Sequence, residues 1–536
     1  MSSDQREKQQ RRSGDRGGPM AGSSAAHAPG GSSADSVDPD DAGAGDFDLI
    51  DSVTEAPDAE VAPALPSAGL AAAATIRFLR SVSGVAHAGG REIWRLALPI
   101  MLSQVLVSLV GLVDIAMVGR LGAIDVAAVG YATQLYFMSQ SALFAVGFAC
   151  VALMAQAIGG GDRARARAAL AASLAVAVLT AGVVAAVVLV APRAVLDWLN
   201  ASAEVAELTI PYMRLLFVSS LLLAVSLTLE HGLRADRDTA TPMRIAFLVT
   251  VVKVALNVLL IFGVAGAPRL GIVGAGVATV VSQVVAVVLF VWVIRHRDEG
   301  GAVALRSSDF AAARGLLWDV IKVAMPGVGE RVVLNLALLG YFAVLGAYGT
   351  VAIAAYTVGV RILAFSWIPG TGFGAAAATL VGQSLGAGDG DGAERTGWMA
   401  ARIALVAAVV LGFVGGVARE PLARLFTSDA ATIDALGPFM LILALAQPMM
   451  QVHFTLGGAH RGAGDTWTPL LAAAAGNWAF RVPVATFVAA HQMPLIWVWS
   501  ALLFDHGARV VWLAIAFRGG RWKRKGLRSS RTARRG

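Results

Sequence analysis

A single cysteine, Cys150, in 536 residues leaves no internal disulfide and no thiolate cluster for a metal. Charged residues make up only 15% and aromatic residues only 7% of the chain, while apolar residues make up 57%. The glycine-rich turns Gly159-Gly-Gly-Asp and Gly386-Ala-Gly-Asp follow no strand and lead to no Gly-Lys-Ser/Thr, which excludes a phosphate loop and a pump with its own ATPase. His-Glu-x-x-His, Gly-x-Ser-x-Gly and metal-spaced Cys/His sets are also missing, so nothing in the chain reads as an enzyme, a metal site or a cofactor site. Short alternating strands are absent too, and with them a membrane barrel. What remains is a mean hydropathy of +0.67 carried in apolar runs long enough to cross a hydrocarbon core of about 30 Å.

The runs come in two matched sets. At a constant offset of 227 residues Pro99 falls on Pro326, Gly147 on Gly374, Gln156 on Gln383 and Asp162 on Asp389. Further on, Pro211 falls on Pro438 and Arg234-x-x-x-Asp-Thr-x-Thr-Pro on its copy from Arg461 to Pro469. Matches among Pro, Gln, Asp and Arg carry the weight, because Ala, Val and Leu coincide cheaply in so apolar a chain. Helices are expected near 93–118, 126–158, 164–191, 204–232, 242–263 and 271–294, then near 314–345, 350–385, 393–417, 431–460, 467–490 and 494–517. Six per half return the chain to its starting side, which makes the halves parallel repeats. The expected fold class is thus an all-α integral membrane protein of twelve transmembrane helices in two six-helix lobes. The lobes are 91–298 and 314–518, joined by a linker at 299–313. Thr241 and Thr468 are expected to cap the helices that follow them, with Pro242 and Pro469 in the first position.

Charge gives the orientation. One set of loops holds Arg163, Arg165, Arg167, Arg234, Arg237, Arg295, Arg297 and Arg461 among others, and the other only Arg120, Arg193, Arg269, Arg419 and Arg424. Both termini are therefore expected in the cytosol, with the protein multi-pass in the inner, plasma membrane. Residues 1–90, rich in Ser, Gly and Pro and acidic from Asp35 to Glu60, read as a disordered tail, with 70–88 as a short surface helix at most. The basic tail 519–536 reads as a partner of anionic lipid and not of nucleic acid.

Ionisable residues at membrane depth are the functional candidates, because each costs several kcal/mol unless paired or wetted. At about 1.5 Å per residue, Asp114 and Asn257 fall at one level and Lys253 within a lysine's reach. These three form an expected ion-coupling site. In the second half Glu330 and Arg361 fall at one depth, as do Arg481 and Asp505. Two ion pairs between neighbouring helices are one reading, and an anionic floor of Glu330 and Asp505 for a cationic substrate or second ion is the other. His453 reads as a hydrogen-bonded packing residue. Pro99 and Pro326, early in the first helix of each half, are candidate hinges.

The runs Leu96-Ala-Leu-Pro-Ile-Met-Leu-Ser, Val113-Asp-Ile-Ala-Met-Val-Gly-Arg-Leu-Gly, Ala127-Ala-Val-Gly and Ala155-Gln-Ala-Ile-Gly-Gly-Gly-Asp resemble the multidrug and toxic compound extrusion (MATE) family, and most of all its DinF-like branch. The resemblance covers about residues 92–518. It implies a V-shaped pair of lobes around a central cavity, acting as a monomer by alternating access. The implied activity is export of mostly cationic, amphipathic small molecules against inward protons or sodium, with Asp114 at the family's first-helix acid. Many members carry a further acid where Asn257 stands, and a neutral polar residue where Lys253 stands. A flippase for a lipid-linked or anionic metabolite shares the architecture and is kept open by Lys253, Arg361 and Arg481.

Overall fold

The computed structural model describes residues 88–298 and 300–524. The tail from 1 to 87 and the end from 525 to 536, with the expectations placed on them, lie outside the described residues.

The first half runs α1 (Ala88–Val118), α2 (Ala123–Gly159), α3 (Arg163–Val190), the short α4 (Pro192–Trp198), α5 (Ala203–Ala235), α6 (Ala240–Phe262) and α7 (Ile272–Arg295). The second half begins with the short α8 (Ser307–Ala313), then α9 (Leu317–Gly346), α10 (Thr350–Ser366), α11 (Ile368–Gly386) and α12 (Gly390–Val417). It closes with the short α13 (Arg419–Phe426), α14 (Ala430–Gly462), α15 (Trp467–Ala474), α16 (Val482–Ala490) and α17 (Leu495–Arg518). Among the described residues eleven helices, with α10 and α11 counted as one, are long and apolar enough to span a membrane. The twelfth expected span, 467–490, is helical throughout but broken by a π turn at Ala475–Arg481, which separates α15 from α16. No periodicity in the sequence announced that turn. The three short helices were not expected either. In the stretch read as a plain linker, α8 packs on α3 through Asp309 and Arg167, whose closest atoms are 3.2 Å apart.

Repeat-related turns use the same chemistry. Asp162 accepts the amide of Arg165 at 2.8 Å and Asp389 that of Gly392 at 2.7 Å, so both glycine-rich turns are helix starts. The expected Thr241 and Thr468 caps are corrected: α6 begins before Thr241, and the Asp238 carboxylate accepts the Thr241 amide at 2.9 Å. In the copy the Thr468 hydroxyl donates to Asp465 at 2.6 Å. An acid one turn earlier outcompetes the hydroxyl because a carboxylate is the stronger acceptor. Burial raises the Asp238 carboxyl, but the Thr241 hydrogen bonds and the Arg297 guanidinium outweigh it and hold it below the ordinary aspartate value. A group depressed in this way stabilises the fold above its unfolded value, and the contribution is lost as pH falls through the folded one. Asp238→Asn keeps the cap but loses the charge pairing with Arg297, and is therefore expected to cost about 1 kcal/mol above roughly pH 4. The gap in melting temperature to the unaltered protein should close as the pH drops below that point.

The two halves meet at one end of the bundle, the side on which the described chain starts and stops, here the tail side. There small residues let backbones touch, as membrane helices require. A Cβ on Gly159 would lie 1.9 Å from the carbonyl oxygen of Gln383, and one on Gly386 would lie 2.0 Å from that of Gln156. The glutamines reciprocate: Gln156 Nε2 donates to the carbonyl of Gly462 at 3.0 Å and Gln383 Nε2 to that of Ala235 at 2.8 Å. Both relations connect positions 227 apart, so the contact has the symmetry of the repeat. Arg237 adds an unsymmetrical bridge, donating to Gln383 and Glu92 at 2.5 Å each. It does so from φ +63°, where the copy has Gly464 at φ +78°. Above this layer Trp94 packs edge-on to Phe373, and Gly372 lies against Ala97 and Met101. Farther from the tail side, α10 packs on α14 and α9 of its own half. The close backbone contacts between the halves thus lie at the tail side.

Candidate functional site

Asp114 stands about one turn from the far end of α1 and faces α6. Its two oxygens are shared out: Oδ2 accepts from Lys253 Nζ at 2.6 Å and Oδ1 from Asn257 Nδ2 at 2.5 Å. Lys253 and Asn257 are one turn apart on α6, so both reach the same carboxylate. Asn257 is fully buried, whereas the Asp114 and Lys253 side chains keep 26% and 20% of their surface exposed. The trio is therefore open on one side and walled by protein on the other. The buried Asn257 Oδ1 has no hydrogen-bond donor, which leaves an acceptor beside the carboxylate. The phenol of Tyr212 lies within electrostatic range of Asp114. The structure thus brings together the three residues, Asp114, Lys253 and Asn257, that depth alone placed near one another.

The second half differs from expectation. Glu330 does not pair with Arg361: both its oxygens accept from Arg461 Nη2, at 2.7 and 2.8 Å. Arg461, counted among the loop charges, ends α14, and its side chain folds back toward the membrane interior. Its guanidinium sits 5.2 Å over the Phe148 ring of the first half. Equal depth could not reveal that Glu330 and Arg361 point from different faces, or that a long side chain would arrive from another helix. Arg461→Gln leaves a mostly buried carboxylate unpaired and is expected to cost about 3–5 kcal/mol. The double variant Glu330→Gln with Arg461→Gln should recover most of that loss in a melting experiment.

Arg481 and Asp505 do approach, at 3.7 Å, but the stronger partner of Asp505 is Arg509, bonded through Nε at 2.6 Å and Nη2 at 2.9 Å. Arg481 itself donates to the Tyr356 hydroxyl at 3.0 Å and stacks 4.7 Å over Tyr341. An anionic floor is corrected on both counts, because each acid is saturated by arginine. The missed partner was legible: Asp505 and Arg509 are four residues apart on one helix. His453 Nδ1 lies 3.2 Å from the Met449 carbonyl and its ring stacks on His506 at 4.9 Å, a packing role.

Pro99 and Pro326 lie inside α1 and α9. The Arg95 carbonyl that Pro99 leaves without its helical donor receives the Thr239 hydroxyl at 3.5 Å. At the other terminus Trp522 stacks 4.5 Å over Phe517, and Lys523 bonds Glu394 at 2.6 Å and Asp391 at 3.0 Å. The first part of the basic tail thus meets acidic side chains of α12.

Two copied bundles of membrane-length helices packed together at one end are an architecture shared by many membrane carriers. The MatE family model matches twice, over residues 99–259 and 327–487, and the chain belongs to that family of membrane transporters. A probable multidrug resistance protein NorM of Bradyrhizobium diazoefficiens is 30% identical over 76% of this chain and 88% of its own. One of the same name from Thermotoga maritima is 28% identical over 82% of this chain and 94% of its own. A FAD transporter of Shewanella oneidensis is 25% identical over 67% of this chain and 78% of its own. Among solved structures, an outward-facing multidrug resistance MATE family transporter of the MOP superfamily superposes with a TM-score of 0.74. It shows 21% identity and covers 81% of this chain and 97% of its own. A MOP superfamily transporter from Pyrococcus furiosus gives the same score and identity, over 81% and 96%. At that identity the likeness is one of fold.

Proposed function

We propose that this protein is a secondary active antiporter that exports amphipathic organic compounds in exchange for protons, or sodium, by alternating access. The lobes 91–298 and 314–518 move about Pro99 and Pro326, with the tail side and both termini in the cytosol. The observation that carries this reading is the partly exposed Asp114 carboxylate bound between Lys253 and the amide of Asn257.

That arrangement has two self-consistent states. With the carboxylate ionised, Lys253 neutralises it and the Asn257 amide donates to it. With a proton added, the carboxylic acid becomes a donor, the ion pair is lost, and a turn of the Asn257 amide offers the acceptor that now lacks a donor. The freed lysine can then swing on its four-carbon stem. Such an exchange of partners between α1 and α6 supplies the differential contacts by which a proton biases one lobe position over another. An inward proton contributes about 2.3 kcal/mol per 100 mV.

Reconstituted vesicles test the reading. Proton and sodium gradients imposed separately should show one of them accumulating a fluorescent amphipathic dye. Equal uptake with and without either gradient would exclude ion coupling.

A further inference from the structure

We propose that the cargo carries a negatively charged group, and that Arg331 and Arg361 on the second lobe's cleft wall hold it. This rests on the transport reading above and names the substrate class for the same cleft.

On α9 the face that packs on the first half is Val320, Ala324 and Gly327, with a Cβ on Gly327 only 3.1 Å from Ala145. The next residue on that stripe is Arg331, one turn above. The apolar stripe of α9 that is left for lipid, Met325, Val332, Leu336 and Leu339, lies on another side. On the next span, Gly372 packs on Ala97 and Met101, and Arg361 is eleven residues earlier in the same face. Eleven residues are about three turns, or about 16 Å of rise. Arg361 is exposed there in a row with Thr357 and Thr350, a polar stripe that suits water and not lipid.

Neither guanidinium has a hydrogen bond or ion pair among the described residues. The acid nearest in sequence, Glu330, is taken by Arg461. Asp114 of the first half is taken by Lys253. Arg331 shares the attraction of Glu330 with Arg461, and Arg361 has no acid bonded to it among the described residues; cations so placed at membrane depth are costly, and an anionic guest lowers the cost. The repeat sharpens the point: 227 residues earlier, Gln104 corresponds to Arg331 and Gln134 to Arg361. The first lobe presents neutral amides where the second presents charge, so the charge is no requirement of the fold.

Arg331→Gln and Arg361→Gln install the first lobe's own residues and are expected to fold. Arg→Lys at each position retains the charge. Binding of carboxyfluorescein, followed by anisotropy on the full-length protein in detergent, should weaken tenfold or more in each Gln variant and stay within a few fold for Lys. Proteoliposomes should show gradient-driven movement of carboxyfluorescein, or of a fluorescent anionic phospholipid if the anion is lipid-borne. Ethidium moving while both anionic probes stay put overturns the anion site and leaves the transport reading. Anion binding unchanged in the Gln variants overturns the two arginines. No movement of any probe overturns both readings.

Discussion

Alanine at both Gly159 and Gly386 is expected to force the tail side open. A Cβ at either position falls 1.9 or 2.0 Å from a backbone carbonyl oxygen of the opposite half. Backbone cannot rotate aside as a side chain does, so relief comes only from separating the halves. Overpacking of this kind costs about 1–3 kcal/mol per site. Two sites together then lower the population of the tail-closed state by roughly 30-fold to 25,000-fold. Spin labels at Ala164→Cys and Ala387→Cys, both exposed on the tail side, should report a longer distance in the double variant. Unchanged distances would mean that this layer does not set the state of the protein.

Asp114→Asn is expected to remove gradient-driven accumulation, by about a hundredfold or more, while the protein still folds and binds cargo. The amide is nearly the shape of the carboxylate and can still meet the Asn257 side chain, so the packing of α1 on α6 survives. It cannot exchange a proton, and it leaves Lys253 without its counter-charge. A lysine deprived of its partner retains a long stem with which to reach water, which moderates the loss of stability. The informative comparison is therefore transport against melting temperature: a large fall in the first with a small fall in the second. Full accumulation in Asp114→Asn would assign the carboxylate a purely structural pairing.

Much of this architecture was legible because the repeat is written in residues that rarely match by accident. Pro99 with Pro326 and Gln156 with Gln383 mark equivalent places in both halves, and the glutamines prove to be reciprocal partners across the lobe contact. The Asp114 site was legible for another reason: α1 and α6 are neighbours, so rise per residue located all three members. The same arithmetic failed for Glu330, where azimuth mattered and Arg461 arrived from the end of α14. Depth is one coordinate of a helix and orientation is a second. Arg331 was overlooked for the same reason, although the repeat places Gln104 opposite it. The π turn at Ala475–Arg481 left no periodic trace, since one extra residue in a turn hardly disturbs an already apolar run.

The most direct test joins the carboxylate to the motion. The distance between labels at Ala164→Cys and Ala387→Cys can be followed as pH is stepped, with and without Asp114→Asn. The account predicts that the tail-closed fraction shifts with pH when Asp114 is present and stays fixed when it is replaced. A pH response that persists in Asp114→Asn, or none in the unaltered protein, would contradict it.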